Sequence, residues 1–430
     1  MSSTDGLTNE SESKLILSDF YNDKLLGFYF YKEKLQRITY MDSESVVGNI
    51  YIGYVKDVVK NINAAFIEYA RGKKGYYSLT DNEHHIFLNP KNNDRMCIGD
   101  LDLVQVSREG VKTKEPTLTG RIGITGRYCA LTLDCKSENS SVFISKKITD
   151  EDRRSYLKGI VKDAMNNALN AYTASSVNST PTASDMHFNI IVRTNAEDAP
   201  EEPVTAEVSR IVTTMCDILK DAVTRKGLTR MYSPEESCLE DVQNMRATNL
   251  EKIITDIPEV YDSVRRYLGE NEPGEAAKLE FYDDMQLPLN KLYSVESQIS
   301  TALNKRVWLP SGGYLVIEPT EALTVIDVNS GKFTGNRKLK DNTYLKINME
   351  AAVEIGRQLM LRNLSGIIVV DFINLNTFEE KKELMSYLAD IPKPDTVPTS
   401  VVDMTRLGLV EITRKKIRKP LHEVIASAQL

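Results

Sequence analysis

Two aspartates stand where a strand would normally carry an aliphatic residue. LTVIDVNSG, residues 323–331, sets Asp327 inside a β-rich run, and IIVVDFINL, residues 367–375, does the same with Asp371. An asparagine follows each, Asn329 and Asn374. Taken singly, Asp-x-Asn-Ser-Gly after a strand reads as an ordinary Asx turn. Taken together, two carboxylates at one end of a sheet repel unless a cation lies between them. Mg²⁺ suits such a pair, because it takes one or two carboxylates and fills its shell with water and phosphate oxygens. Neighbouring chemistries are excluded: the loop lacks the later ligands of an EF-hand, and Gly331-Lys332 lacks the Walker spacing. The histidines at 84, 85, 187 and 422 show no ligand spacing, and the five scattered cysteines form no C-x-x-C pair.

The elements that must position the pair are legible from Arg306 onward. LPSGGYLVIEP predicts a Gly-Gly turn and a strand, and EALTVIDVNSG predicts a second strand. YLKINMEAAVEIGRQLMLRNL predicts a long helix ended by Ser365-Gly366, with IIVVDFINL as the strand after it. If the strands on either side of that helix share a sheet, they run parallel. Both aspartates then emerge near C-terminal strand ends, where open α/β sheets bind ligands. Upstream, Lys14 to Tyr40 alternates as strands with a turn at Asn22-Asp23. Residues 47–135 carry short β-rich runs broken by Gly48, Gly53 and Gly75, which suggests an OB-type barrel. Thr149 opens a helix, residues 172–185 read as a Ser/Thr-rich loop, and FNIIVRT reads as a buried strand. An amphipathic helix over 203–226 ends at Gly227, and NEPGE at 271–275 is a further break.

A chain of 430 residues implies roughly two to four domains. At 41% hydrophobic and 27% charged, with mean hydropathy −0.32, the composition is that of a soluble globular protein. No apolar run approaches the roughly 20 residues of a membrane helix. The polar N-terminus has no signal-peptide core, and the cysteine usage favours a reducing cytoplasm. A net charge of −7 argues against indiscriminate polyanion binding, so any nucleic-acid contact must rest on local basic clusters. Residues 404–420 hold six Lys/Arg against Glu411 alone, although by itself this stretch reads first as a solvated charged face.

LPSGGYLVIEPTEALTVIDVNSG, NMEAAVEIGRQLMLRNLSGIIVVDFINL and MTRLGLVEITRKKIR closely resemble the catalytic core of the ribonuclease E/G family. GNIYIGYVKDVV, AAFIEY, LTGRIGITGRY, FISKKI and IIVRTNAE match in order upstream, so the resemblance spans roughly residues 14–420. It implies Mg²⁺-dependent endonucleolytic cleavage of single-stranded RNA, with Mn²⁺ as a substitute ion, leaving 5′-phosphate and 3′-hydroxyl ends. Asp327 and Asp371 match the metal-binding aspartates, and Asn329 matches the asparagine that helps hold the site. Phe66 and Tyr76 match aromatic positions of an OB-type RNA clamp, and Lys114 a basic one; from spacing alone, Phe66 reads rather as barrel core. Gly126, Arg193, Thr194 and Arg406 match a pocket for a 5′-monophosphate end. Lys146 stands there where an arginine is common, which keeps the charge but loses the bidentate fork.

The fold the resemblance implies is a multidomain α+β and α/β chain. It comprises a disordered tail at 1–13, a ribonuclease-H-like part split between 14–46 and 236–305, and an OB-type barrel at 47–135 inserted in that part. A 5′-end sensor region at 136–235 and a deoxyribonuclease-like α/β catalytic domain at 306–430 complete it. The chain looks like the short ribonuclease G type, acting in rRNA maturation and mRNA decay in the cytoplasm. No cysteine follows Cys238, so no structural zinc link is expected. A homo-oligomer, dimer or tetramer, would rest on other contacts, and no degradosome scaffold tail is expected. Asn374 and Glu115 depart from the common Asp and Gly. The rival reading is an RNA-binding regulator of the same fold with weakened catalysis.

Overall fold

The computed structural model describes all residues except 1–12, 21–23, 42–44, 83–84, 92–94, 111–113, 135–138, 176–186, 235–236, 245–249, 332–339, 392–396 and 429–430. The expected Asn22-Asp23 turn, nearly all of the tail and most of the 172–185 loop lie outside the described residues. The chain forms two compact units. One comprises residues 1–42, 249–262 and 277–430, the other residues 43–248 and 263–276.

β1 (Ser13–Phe20), β2 (Lys24–Tyr31) and β3 (Lys34–Met41) open the first unit as an antiparallel meander. Leu15, Ile16 and Leu17 are all fully buried, as in a strand covered on both faces.

In the second unit, β4 (Ile50–Val59), β5 (Ala64–Ala70), β6 (Lys73–Ser78), β7 (Leu101–Arg108) and β8 (Thr117–Thr119) pair in the order β4-β5-β6-β8-β7. β7 also pairs with β4, which closes a five-stranded barrel of OB-like character. Val55, Ile67, Tyr77, Val104 and Leu118 fill its interior. Next come β9 (Gly123–Thr125), β10 (Cys129–Asp134), β11 (Ser141–Ile144) and β12 (His187–Val192), forming a separate sheet in the order β11-β12-β10-β9. Helices α1 (Glu151–Ser175) and α2 (Glu201–Ala222) pack with this sheet in one core. α2 ends short of the expected Gly227, because its apolar stripe runs out at Ala222 and Val223 is already exposed. β13 (Arg230–Tyr232) then pairs antiparallel with the start of β4 at Ile50 and Tyr51, and α3 (Ser237–Asn244) follows.

β14 (Lys252–Thr255) and β15 (Leu279–Phe281) complete the first sheet, in the order β15-β14-β1-β2-β3. α4 (Pro258–Asn271) runs between them in sequence, and NEPGE leads into a short 3-10 turn at Pro273–Lys278. α5 (Leu289–Leu292) and α6 (Val295–Leu303) bury Leu289, Val295 and Ile299 with Phe28 and Ile38.

A six-stranded sheet ends the first unit: β16 (Arg306–Trp308), β17 (Tyr314–Pro319), β18 (Leu323–Asn329), β19 (Gly366–Asp371), β20 (Thr399–Met404) and β21 (Leu409–Arg414), ordered β16-β17-β18-β19-β21-β20. α7 (Lys340–Leu361) crosses from β18 to β19, and those two strands are parallel as the sequence predicts. The strand period sends Ile326, Val328, Ile368 and Val370 into a core with Ile347, Ala351, Ile355 and Leu359 of α7. α7 stops a turn earlier than Ser365-Gly366 would suggest. Asn363 takes φ +48°, and the Leu364 amide reaches back to the Leu359 carbonyl at 3.1 Å, a left-handed C-terminal cap. α8 (Phe378–Asp390) starts with a capping box, in which Thr377 Oγ1 accepts from the Glu380 amide at 3.2 Å. α9 (Leu421–Ala428) closes the unit. No helix among the described residues is long and apolar enough to cross a membrane.

Candidate active site

The alternation that buries Thr324, Ile326 and Val328 turns Asp327 and Asn329 to the opposite face of the sheet. Asp371, last residue of β19, shares that face with exposed Ile367. β18 and β19 are parallel with Asp327 directly opposite Asp371, so the carboxylates lie side by side, about one strand spacing (~4.8 Å) apart at the backbone. The full cross-strand row reads Arg306, Val316, Asp327, Asp371, Leu409, and the next row reads Trp308, Tyr314, Asn329. Asn329 Nδ2 donates to Asp327 Oδ2 at 2.7 Å, which fixes the carboxylate's rotamer and leaves Oδ1 free of that bond. Asn374 lies beyond the strand end, its Oδ1 3.9 Å from where a Cβ on Gly408 would sit. It therefore neighbours the 405–408 turn rather than repeating the role of Asn329.

Two further contacts set the height of these residues. Gly331 has φ +64°, and a Cβ there would lie 2.2 Å from the Gly312 carbonyl oxygen; a Cβ on Gly313 would lie 2.8 Å from the Asn329 carbonyl oxygen. The Gly-Gly turn and the Asn-Ser-Gly turn thus touch backbone to backbone. On the other flank, Asn348 of α7 donates to the Ile373 carbonyl at 2.7 Å and accepts from its amide at 3.1 Å.

The donor set suits a hard divalent ion. Two in-register carboxylates supply oxygen ligands, and Asn329 holds one of them in place. Two protein carboxylates are enough for Mg²⁺, which usually keeps several waters in its shell.

On the barrel, Phe66 of β5 faces Tyr76 of β6 in register, with ring centroids 6.2 Å apart and planes at 73°. Both are partly exposed, whereas their neighbours Ala65, Ile67 and Tyr77 are buried, so the two rings lie on the outer wall and not in the core. Lys114 is exposed in the segment leading to β8, and Thr117 of that strand pairs with Tyr76. In the four-stranded sheet, β9, β11 and β12 end at the same side. This brings together Gly126, Lys146, Arg193 and Thr194, each just past a strand end. Arg193 Nη1 donates to the Gly126 carbonyl at 2.5 Å, Ser145 Oγ and Thr194 Oγ1 are 3.1 Å apart, and Lys146 is exposed. Arg406 is in the first unit, exposed in the tight turn of the β20-β21 hairpin.

The Ribonuclease E/G family model matches residues 123–417, more than half of the chain. The chain belongs to that family. It is on that ground an endoribonuclease. "Ribonuclease G" of Haemophilus influenzae is 33% identical over 390 residues, covering 88% of this chain and 74% of its own length. "Ribonuclease G" of Escherichia coli K12 is 31% identical over 395 residues, with coverage of 89% and 75%. "Ribonuclease E" of Synechocystis is 31% identical over 406 residues, with coverage of 92% and 56%. The chain therefore spans about three quarters of the ribonuclease G relatives and little more than half of the ribonuclease E one.

Within this family member, two positioning residues escape a reading of the sequence by motif. One is Asn348. The other is Glu207 of α2, whose carboxylate accepts from the amides of Arg127, Tyr128 and Cys129 at 2.8 Å each and so clamps the turn that carries Gly126. A Cβ on Gly126 would lie 2.4 Å from the Glu207 carboxyl carbon, so glycine is required there by contact. Burial raises the Glu207 carboxyl, and the three amides offset part of that cost. One signal was available for both: each is a polar residue within a buried helical stripe, Asn348 beside Ile347 and Ala351, Glu207 beside Val204 and Val208.

Proposed function

We propose that this endoribonuclease cuts single-stranded RNA at the Asp327–Asp371 row in a Mg²⁺-dependent hydrolysis that leaves 5′-phosphate and 3′-hydroxyl ends. The observation that carries the reading is the direct cross-strand register of the two carboxylates on the exposed face of the sheet. A pure RNA binder gains nothing from two adjacent like charges, whereas a cation-binding hydrolase needs them. Asp327 and Asp371 would hold the ion, and Asn329 orients Asp327 through its 2.7 Å hydrogen bond. The bound ion would supply an acidified water and charge stabilisation at the phosphate. Phe66 and Tyr76 offer stacking faces to unpaired bases, and Lys114 a phosphate contact. Gly126, Lys146, Arg193 and Thr194 would favour a 5′-monophosphate end, and exposed Arg406 would offer an RNA phosphate contact on the first unit. In this reading β1–β3 with β14 and β15 form the ribonuclease-H-like part, and β16–β21 the deoxyribonuclease-like catalytic part. Its RNA-processing role would include rRNA maturation and mRNA decay.

The test is cleavage of a short 5′-monophosphorylated RNA with Mg²⁺ and with EDTA, using wild type, Asp327→Asn and Asp371→Asn. Cleavage by wild type with Mg²⁺ only, and loss in both variants with RNA affinity retained, is the expected result. Undiminished cleavage by either variant would remove the row from the chemistry. Tight RNA binding by a wild type that never cleaves would favour a regulator.

A further inference from the structure

Three side chains beside the carboxylates have no part in the function described so far. Arg306 and Trp308 alternate on β16, the edge strand, and Tyr314 begins β17. Register places all three on the same face as Asp327 and Asn329, since cross-strand partners share a face. The Trp308 and Tyr314 ring centroids are 5.2 Å apart with planes at 59°, and the Arg306 guanidinium lies 4.5 Å from the Tyr314 centroid and 5.7 Å from that of Trp308. Trp308 is the chain's one tryptophan and is 63% exposed. Strand spacing and rise put it about 12 Å from Asp327, two strands across and two residues along.

A large aromatic side chain left in solvent on an edge strand contributes little to the core, so packing does not account for it. Its surroundings point to a polyanion with π faces. A guanidinium stacked on the rings supplies positive charge and N–H donors for a phosphate, and cross-strand register links the three side chains to Asp327 and Asn329 through Val316 and Tyr314. We propose that Trp308 and Tyr314, backed by Arg306, form a nucleobase-stacking platform for the single-stranded RNA flanking the scissile phosphate. This rests on the Asp327–Asp371 row being the cleavage site. The platform supplies affinity and register for the flank through sequence-tolerant stacking, and Arg306 pairs with the adjoining phosphate.

The single tryptophan makes the platform directly observable. Full-length protein carrying Asp327→Asn is titrated with a short unstructured RNA, and with the same RNA made abasic at successive positions, while Trp fluorescence is recorded. A saturable change that is lost when one base beside the cleavage position is removed supports the platform. With wild-type catalysis, Trp308→Ala should raise KM between about fivefold and a hundredfold, with kcat falling less, and Trp308→Phe should recover most of the loss. Trp fluorescence that ignores RNA while binding proceeds, or an unchanged KM in Trp308→Ala, overturns the proposal. Fluorescence that follows protein concentration rather than RNA overturns it too, and gives the face to a second copy of the chain. The binding readout needs no cleavage, so undiminished cleavage by Asp327→Asn would move the cleavage site without passing for a failure of stacking.

Discussion

Asn348 and Ile373 exchange two hydrogen bonds, side chain to backbone, with the asparagine fully buried in α7 and the isoleucine two residues beyond Asp371. The pair ties the exit of β19 to the helix that crosses over from β18, and so fixes where Asp371 ends relative to Asp327. Asn348→Ala would leave a donor and an acceptor at Ile373 without their partner, at a cost of about 1–3 kcal/mol. We expect urea unfolding to show a loss of that size, and cleavage to lose kcat more than RNA affinity. A variant that loses stability while keeping wild-type kcat would confine Asn348 to a structural role.

Gly312 and Gly331 both have positive φ, +87° and +64°, but only at Gly331 would an added Cβ meet backbone, the Gly312 carbonyl. Alanine at Gly312 meets nothing within 4 Å, so Gly312→Ala should cost only the strain of a left-handed residue, about 1 kcal/mol. Gly331→Ala must push against the Gly312 carbonyl and shift the turn that holds Asn329. It should cost roughly 1–3 kcal/mol more and reduce cleavage well beyond the loss in Gly312→Ala. Equal effects of the two substitutions would show that the contact between the turns does not position the site.

The aspartate row was legible because each component of it is local. Period-two alternation put Asp327 and Asp371 on strands, and the helix between those strands implied a parallel pair if they share a sheet. The register that sets the two residues opposite each other is a tertiary result. The Gly126, Lys146, Arg193 and Thr194 group was legible only through the family resemblance. Its members come from three strand ends, and nothing local states that β9, β11 and β12 finish at one side of a sheet. The end of α7 was misplaced because an asparagine adopted the left-handed cap that sequence reasoning gave to Ser365-Gly366. Trp308 drew no notice because a three-residue edge strand shows too little periodicity to reveal which way its side chains face.

Asp102 is fully buried in the barrel, where it accepts from the Ile86 amide at 2.8 Å. Burial pushes its carboxyl up to about 7, with the Asp100 charge adding to the rise and the amide bonds opposing it. In the unfolded chain the group titrates near 3.8. The folded state therefore holds the proton more tightly, and stability is fully present below the unfolded pKa, falling as pH rises from about 4 to about 7. Asp102→Asn keeps the acceptor and the size but removes the titration. Relative to wild type, the variant should gain stability on the order of a few kcal/mol at pH 8 and little at pH 4, measured by calorimetry. A difference that does not change with pH would mean that Asp102 ionises in the fold as freely as in the unfolded chain.

Arg193 reaches the Gly126 carbonyl at 2.5 Å, and Thr194 shares a hydrogen bond with Ser145, whose neighbour Lys146 is exposed. A guanidinium is a planar fork of N–H donors, and the bond to the Gly126 carbonyl orients that fork at the end of β12. Lys146 contributes a flexible point charge, not a second fork, so discrimination at the 5′ end should be real but modest. Cleavage of a 5′-monophosphorylated RNA should exceed that of its 5′-triphosphorylated twin. Arg193→Gln should bring the ratio toward one while leaving a 5′-hydroxyl substrate unchanged. Lys146→Arg should widen the ratio, because it restores bidentate geometry at a position already facing solvent. Equal rates on the two wild-type substrates would remove the sensing role, and a widened ratio in Lys146→Arg would show that the weak point of the pocket is the missing fork.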